Sequence, residues 1–281
     1  MPRPDFLRPL NFFFFAILAA SGYLVSSGEL KITGVLAKIV LSMLFLTISA
    51  NIFNEFSTGK IHGVMKIFHF RFKKRELNHS VIASLILFFS GFLASYSISL
   101  NTSFFYISAA VLLVAYLSYF KNVRFMRSIV IGAASSVAII MGSGAYGYSQ
   151  TAYLMAILLF FSNAAGDMIK SITDETKDRA TFLVNFLKHF SSYVKFDANR
   201  TRKASVASLV VFIILSPMPY VFGLVSIKYL IIITISSLIA FAALFSIIKE
   251  GKNTALLAKA DELIKINMLV SIIAFLAGSF L

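Results

Sequence analysis

The sequence predicts an all-α, polytopic membrane protein: a bundle of nine transmembrane helices with cytoplasmic cap loops after helices two and six. Three observations carry that expectation. Of the 281 residues, 58% are hydrophobic and 14% charged, and the mean hydropathy is +0.85, a balance that ordinary water-soluble domains do not have. The apolar residues arrive in nine blocks, on the scale needed to cross a hydrocarbon layer about 30 Å thick. Basic residues number 26 against 12 acidic ones, for a formal net charge of +14, and they fall almost entirely on one side of the layout that the blocks imply.

The first block, residues 10–27, follows Arg3 and Arg8 as the apolar region of a signal peptide would. It is long, contains Phe12 to Phe15 in a row and lacks a small-residue cleavage site, so it is expected to be helix one. The remaining blocks are 32–51, 80–98, 103–120, 128–148, 151–166, 204–225, 228–248 and 266–281. Nine helices of about 20 residues would take up about 180 positions. That leaves loops but no separate soluble domain, and residues 1–281 are expected to form a single transmembrane domain.

With the helices numbered in order, the segments after helices two, four, six and eight share a side with the N-terminus. Of the 26 basic residues only Lys31, Lys38 and Lys228 lie elsewhere, which places 23 on one face. The positive-inside rule makes that face cytoplasmic and the protein a multi-pass component of the cell membrane. A charge of +14 would point to nucleic acid in a soluble protein. Here topology accounts for it, so membrane lipids are expected as neighbours and nucleic acid is not. The opposite connections, near Glu29, Asn101, Ser149 and Ile227, are short and almost uncharged, so chemistry on ionic substrates belongs on the cytoplasmic side.

Several chemistries drop out. The chain has no cysteine, which excludes disulfides, iron–sulfur clusters, thiolate zinc and a cysteine nucleophile. His62, His69, His79 and His189 have no shared ligand spacing, and no P-loop, GxSxG or HExxH pattern occurs.

Two stretches hold the unusual oxygen-bearing side chains. At the end of helix two, in the segment Asn51 to Lys60, Asn51 and Glu55 are four apart and share a helical face. After helix six, Asp167, Lys170, Asp174 and Asp178 recur at three or four, again one face, alternating acid with base. Hard oxygen ligands at two cytoplasmic helix ends suit Mg²⁺, which is typically held by one or two carboxylates while phosphate oxygens complete its shell. A phosphorylated ligand follows from that. Lys170, Lys121, Arg124, Arg127 and the cluster Lys73, Lys74 and Arg75 are the cations that can neutralise it.

These residues resemble the UbiA superfamily of intramembrane prenyltransferases, whose members have nine transmembrane helices and Asp-rich motifs after helices two and six. The usual first motif is N-D-x-x-D-x-x-x-D. Asn51 and Glu55 stand at two of its places, while Ile52 and Gly59 replace acids. Asn51, Glu55, Phe56 and Gly59 are also similar to the N-x-x-x-D-F-x-x-G form of some menaquinone-forming members, with Ile61 where an Asp follows. The second motif, K-x-x-x-D-x-x-x-D, is matched by Lys170, Asp174 and Asp178. Asp167 stands where archaeal lipid-forming members often carry Glu, and Ser171 where they often carry Asp. Lys121 and Arg124 resemble the basic stretch between helices four and five, and Arg75 the basic residue after the first motif.

The resemblance implies Mg²⁺-dependent transfer of a polyprenyl group, expected to be geranylgeranyl, from its diphosphate to an acceptor in the membrane. Asn51, Glu55, Asp174 and Asp178 would carry the metal. Lys170, Lys121, Arg124 and Arg75 would hold diphosphate, with Lys170, Asp174 and Asp178 as the catalytic set. The acceptor expected from the second motif is a glyceryl-phosphate lipid. The alternatives are an aromatic quinone precursor, favoured by Gly59, and a non-catalytic or transport relative on the same scaffold.

Overall fold

In the computed structural model of the protein, residues 8–58, 77–116, 124–173, 198–249 and 254–280 are described, and all regular structure among them is helical. The nine longer helices are Arg8–Ser27 (α1), Gly34–Thr58 (α2), Leu77–Tyr96 (α3), Leu100–Ala115 (α4), Arg124–Gly144 (α5), Gln150–Thr173 (α6), Ala198–Leu215 (α7), Ile227–Lys249 (α8) and Thr254–Ser279 (α9). A single turn, Met218–Val221, joins α7 to α8. Pro217 and Pro219 bring about that break, because a proline inside a continuing helix would remove a backbone donor and clash with the preceding turn. The expected cap loops, residues 59–76 and 174–197, lie outside the described residues.

The helices match the nine apolar blocks in order, and their ends differ in an instructive way. The block expected at 266–281 is the second half of a helix that starts at Thr254. Its added turns bury Leu257, Ala260 and Ile264 on one face and pair Asp261 with Lys265 at i,i+4. Similarly, α7 begins at Ala198 rather than 204, winding Arg200, Arg202 and Lys203 into its first turns. Hydropathy marks what the bilayer must cover, whereas the backbone stays helical into the polar boundary. Among the described residues, six helices carry apolar stretches that by length and composition can cross a membrane: Gly34–Phe53, Phe125–Gly144, Gln150–Ile172, Asn199–Val221, Ile227–Lys249 and Ala255–Ser279. The apolar stretches of α1, α3 and α4 are shorter: Phe13–Ser27, Val81–Tyr96 and Leu100–Ala115.

The chain forms two compact units. The first holds α1 to α4 up to Val114 and the second half of α5, residues 137–148. Its core is built from Leu18, Ile39, Met43, Tyr106 and Ile139, all fully buried. Close backbone approach sets the α1–α5 contact. A Cβ on Gly22 would collide with the Ile139 carbonyl oxygen, and one on Gly142 with that of Ala19. Small residues at such a crossing let two backbones pack where lipid gives no hydrophobic reward for association. Nearby, Ser26 Oγ donates to Ser143 Oγ at 2.7 Å. Helices α2 and α3 are fastened reciprocally: Ser49 Oγ donates to the Ser84 carbonyl at 2.8 Å and Ser84 Oγ to that of Ser49 at 3.0 Å.

The second unit comprises residues 115–136 and 149–281. Its axis is α6, whose spanning window is 61% buried against 28% for α7 and α8. The fully buried Asn267 of α9 organises the packing around it. Its Nδ2 donates to Ser162 Oγ of α6 at 3.0 Å, its Oδ1 accepts from Ser236 Oγ of α8, and Ser236 and Ser271 hydroxyls meet at 2.8 Å. One amide thus ties three helices. Toward α7, Ser205 Oγ donates to the Ala165 carbonyl of α6 at 3.1 Å.

Two outcomes test this packing in detergent. Gly142→Val should lower thermal stability by about 1–3 kcal/mol or more, the range for overpacking an interior contact. Asn267→Leu should cost about 0.6–2 kcal/mol, the worth of interhelical hydrogen bonds in membrane proteins. An unchanged unfolding midpoint in either variant contradicts the corresponding contact.

Candidate active site

On the first unit, α2 carries Asn51 one turn beyond Thr47, half-buried, with Nδ2 donating to the Thr47 carbonyl at 2.7 Å. The amide nitrogen is committed to the helix, so the atom Asn51 can offer to a ligand is its carbonyl oxygen. Glu55 follows one turn later on the same helix, and its side chain lies outside the described residues.

On the second unit, the end of α6 is the best-defined part of the candidate site. Asp167 is bound on both oxygens. Arg127 of α5 donates through Nε at 3.0 Å to Oδ2 and through a terminal nitrogen at 2.9 Å to Oδ1, and Ser128 Oγ donates to Oδ2 at 2.9 Å. The side chains of Arg127 and Asp167 are only 15% and 10% exposed, and Ser128 is fully buried. The guanidinium also lies over the Tyr116 ring, with Cζ 5.9 Å from the centroid, within reach of a cation–π contact. A planar fork on a carboxylate, desolvated and completed by a third donor, is the strong form of an ion pair.

This geometry revises two expectations. Asp167 was grouped with Lys170 on one ligand-bearing face. Instead Asp167 turns inward against α5, while Lys170 in the last turn is exposed. Arg127 was counted among the phosphate-neutralising cations, and its fork is spent on Asp167. Ser171, which the resemblance sets at a place often occupied by Asp, is buried and donates Oγ to the Met168 carbonyl at 2.7 Å. A carboxylate there would face a desolvation penalty with no described partner. Sequence reasoning missed the Arg127–Asp167 pair, although one signal was present: opposite charges near the adjoining ends of consecutive helices.

Asp174, Asp178, Lys121 and Arg75 lie outside the described residues, and so does the side chain of Arg124, the first residue of α5. Among the described residues no group of three or more His, Cys, Asp or Glu is gathered in a way that could hold a metal.

The described helices are those expected of a multi-pass membrane protein, with an amide near the end of α2 and a lysine in the last turn of α6. The chain belongs to the UbiA prenyltransferase family, whose model matches residues 13–269, and it is accordingly a prenyltransferase. A protein of Saccharolobus solfataricus named digeranylgeranylglyceryl phosphate synthase is 26% identical over 271 residues, covering 94% of this chain and 92% of that protein. A solved structure of a digeranylgeranylglyceryl phosphate synthase matches with a TM-score of 0.77 at 19% identity, over 98% of this chain and 96% of that one. The UbiA homologue of Archaeoglobus fulgidus, solved bound to GPP and Mg²⁺, matches with a TM-score of 0.59 at 15% identity over 96% and 97%. These structural likenesses establish the fold.

The buried pair is open to a direct test by denaturant titration in detergent. Asp167→Ala should destabilise the protein by about 3–5 kcal/mol, because it strands the Arg127 cation in a low-dielectric setting. Replacing both partners, Arg127→Met with Asp167→Leu, should recover most of that loss. A single variant within about 1 kcal/mol of the parent, the worth of a surface pair, is the contrary result.

Proposed function

We propose that the protein transfers a geranylgeranyl group from its diphosphate to the hydroxyl of a glyceryl-phosphate lipid, in an Mg²⁺-dependent reaction. The observation that carries this reading is the run of archaeal relatives named digeranylgeranylglyceryl phosphate synthase, several of them aligned over nearly the whole chain. In this reading all nine helices cross the cell membrane as one domain, with the N-terminus and the segments after α2 and α6 on the cytoplasmic side. The distribution of 23 of 26 basic residues supports that orientation.

The donor set suits a hard cation. Asn51 presents oxygen because its nitrogen is bound to Thr47, and Glu55, Asp174 and Asp178 bring carboxylates. Mg²⁺ held by these four would supply charge neutralisation at the diphosphate oxygens. Lys170, Lys121, Arg124 and Arg75 are the proposed diphosphate contacts. As the carbon–oxygen bond to the prenyl C1 breaks, its electron pair leaves with the diphosphate. The acceptor hydroxyl oxygen forms the new bond to that carbon and passes its proton to an oxygen of the departing diphosphate. Cations fixed in advance stabilise the growing negative charge more in the transition state than in the ground state, which is what lowers the barrier. Apolar helix walls keep water from capturing the allylic carbon.

Purified protein incubated with labelled geranylgeranyl diphosphate, Mg²⁺ and a panel of acceptors should yield a prenylated glyceryl-phosphate lipid, identified by mass. Product only on an aromatic acceptor, or none at all, overturns the assignment. Asp174→Ala or Asp178→Ala should abolish transfer without moving the unfolding midpoint. Glu55→Gln should raise the Mg²⁺ concentration needed for half-maximal rate, and an unchanged titration removes Glu55 from the ligand set.

A further inference from the structure

A groove of about 280 Å³ lies between α7 and α8. It is lined by Arg202, Lys203, Val206 and Ala207 of α7 and by Ile248 of α8. Both helices carry stretches long enough to cross a membrane, and the groove sits where α7 begins and α8 ends, at one polar boundary. Its chemistry changes with depth. Val206 follows Arg202, and Ala207 follows Lys203, by four residues, about one turn, so cations stand at the mouth and hydrocarbon lies further in.

Neither Arg202 nor Lys203 has a counter-charge among the described residues. Among the described residues the ion pairs are Lys31 with Glu29, Arg127 with Asp167 and Lys265 with Asp261, and neither groove cation joins one. Arg202 is nevertheless half-buried, and beside it the Ile248 side chain is 57% exposed. A guanidinium fork and an ammonium together match a phosphodiester, and the apolar wall matches the methylenes attached to it. A headgroup carrying its own cation would leave no net charge to satisfy these two.

We propose that this groove binds one anionic membrane phospholipid, with its phosphate on Arg202 and Lys203 and the start of an acyl or ether chain along Val206, Ala207 and Ile248. None of the lining residues is among those proposed to hold metal or diphosphate, and the proposal does not depend on the identity of the acceptor.

The test is a lipid titration of the full chain in detergent, read by native mass spectrometry as adduct formation with phosphatidylglycerol or phosphatidylcholine. Phosphatidylglycerol should bind at least about tenfold more tightly, and Arg202→Gln and Lys203→Gln should each weaken it by about fivefold, the usual worth of one basic residue at an anionic surface. Ala207→Phe, an exposed position where a larger side chain leaves the fold intact, fills the groove without changing charge and should weaken binding comparably. Lys259→Gln is the control: it is exposed near the start of α9, at the same polar boundary, and should change binding less than twofold. Equal losses from Lys259→Gln and Arg202→Gln would mean diffuse attraction and overturn the site. So would parental affinity in Ala207→Phe, which removes the groove. Displacement of the lipid by glycerol 3-phosphate at matched concentration would show a soluble-anion site and sink the lipid assignment.

Discussion

In a hydrocarbon layer an unpaired polar group has no water to turn to, and this protein is organised around that constraint. Its helices satisfy their own backbones, and the side chains follow the same rule. Ser42 and Thr47 donate to carbonyls within α2, and Ser135 does so within α5. Where hydroxyls do not bond locally they bridge helices, as Ser49 does to Ser84 and Ser236 to Asn267. Buried Ser226 and Ser279 hydroxyls, at the margins of α8 and α9, are the exceptions without a partner among the described residues. Charge obeys the rule more strictly still. The one described ion pair that is almost wholly shielded, Arg127 with Asp167, has its carboxylate oxygens taken by three donors from two residues.

Packing in the interior is therefore decided by shape and by polar pairing rather than by apolar area, since lipid tails are as apolar as leucine. That explains why α1 and α5 touch through Gly22 and Gly142 rather than through their large residues. It also explains the exposed row on α8, where Ile231, Ile235, Leu238, Phe241, Phe245 and Ile248 face outward. In a soluble protein such a row would signal an unfilled interface; on a membrane span it is the surface that meets lipid.

The number, order and helical nature of the elements were legible in the sequence, because the bilayer imposes a minimum apolar length that hydropathy measures directly. Helix ends were not. Arg200, Arg202 and Lys203 in α7, and Asp261 and Lys265 in α9, end an apolar run without ending a helix, since long charged side chains reach water while the backbone continues. Reading the site met a related limit. Spacing at three and four places Asp167 and Lys170 on neighbouring parts of α6, but whether an acid faces a ligand or a neighbouring helix depends on which residue that neighbour presents. Arg127 and Ser128 decide it for Asp167, and no periodicity within α6 contains them.

The basic residues consequently divide by environment rather than by sequence cluster. Arg127 has been given a buried carboxylate, which removes its charge from the electrostatics of any incoming phosphate and turns it into a fastener between α5 and α6. Lys170, three residues beyond that fastener, inherits its position from it: the turn of α6 that bears Lys170 is anchored by Asp167, while the ammonium remains exposed. On the role proposed for Lys170 at the diphosphate, the benefit is preorganisation. A cation already held in place need not be reorganised as charge develops on the leaving group. Arg202 and Lys203 represent the opposite condition, cations at a polar boundary with no acid supplied by the described residues. A net charge of +14 is thus not one property of the molecule. Part of it is internally neutralised, part is proposed to serve the substrate, and part is proposed to meet the membrane lipid.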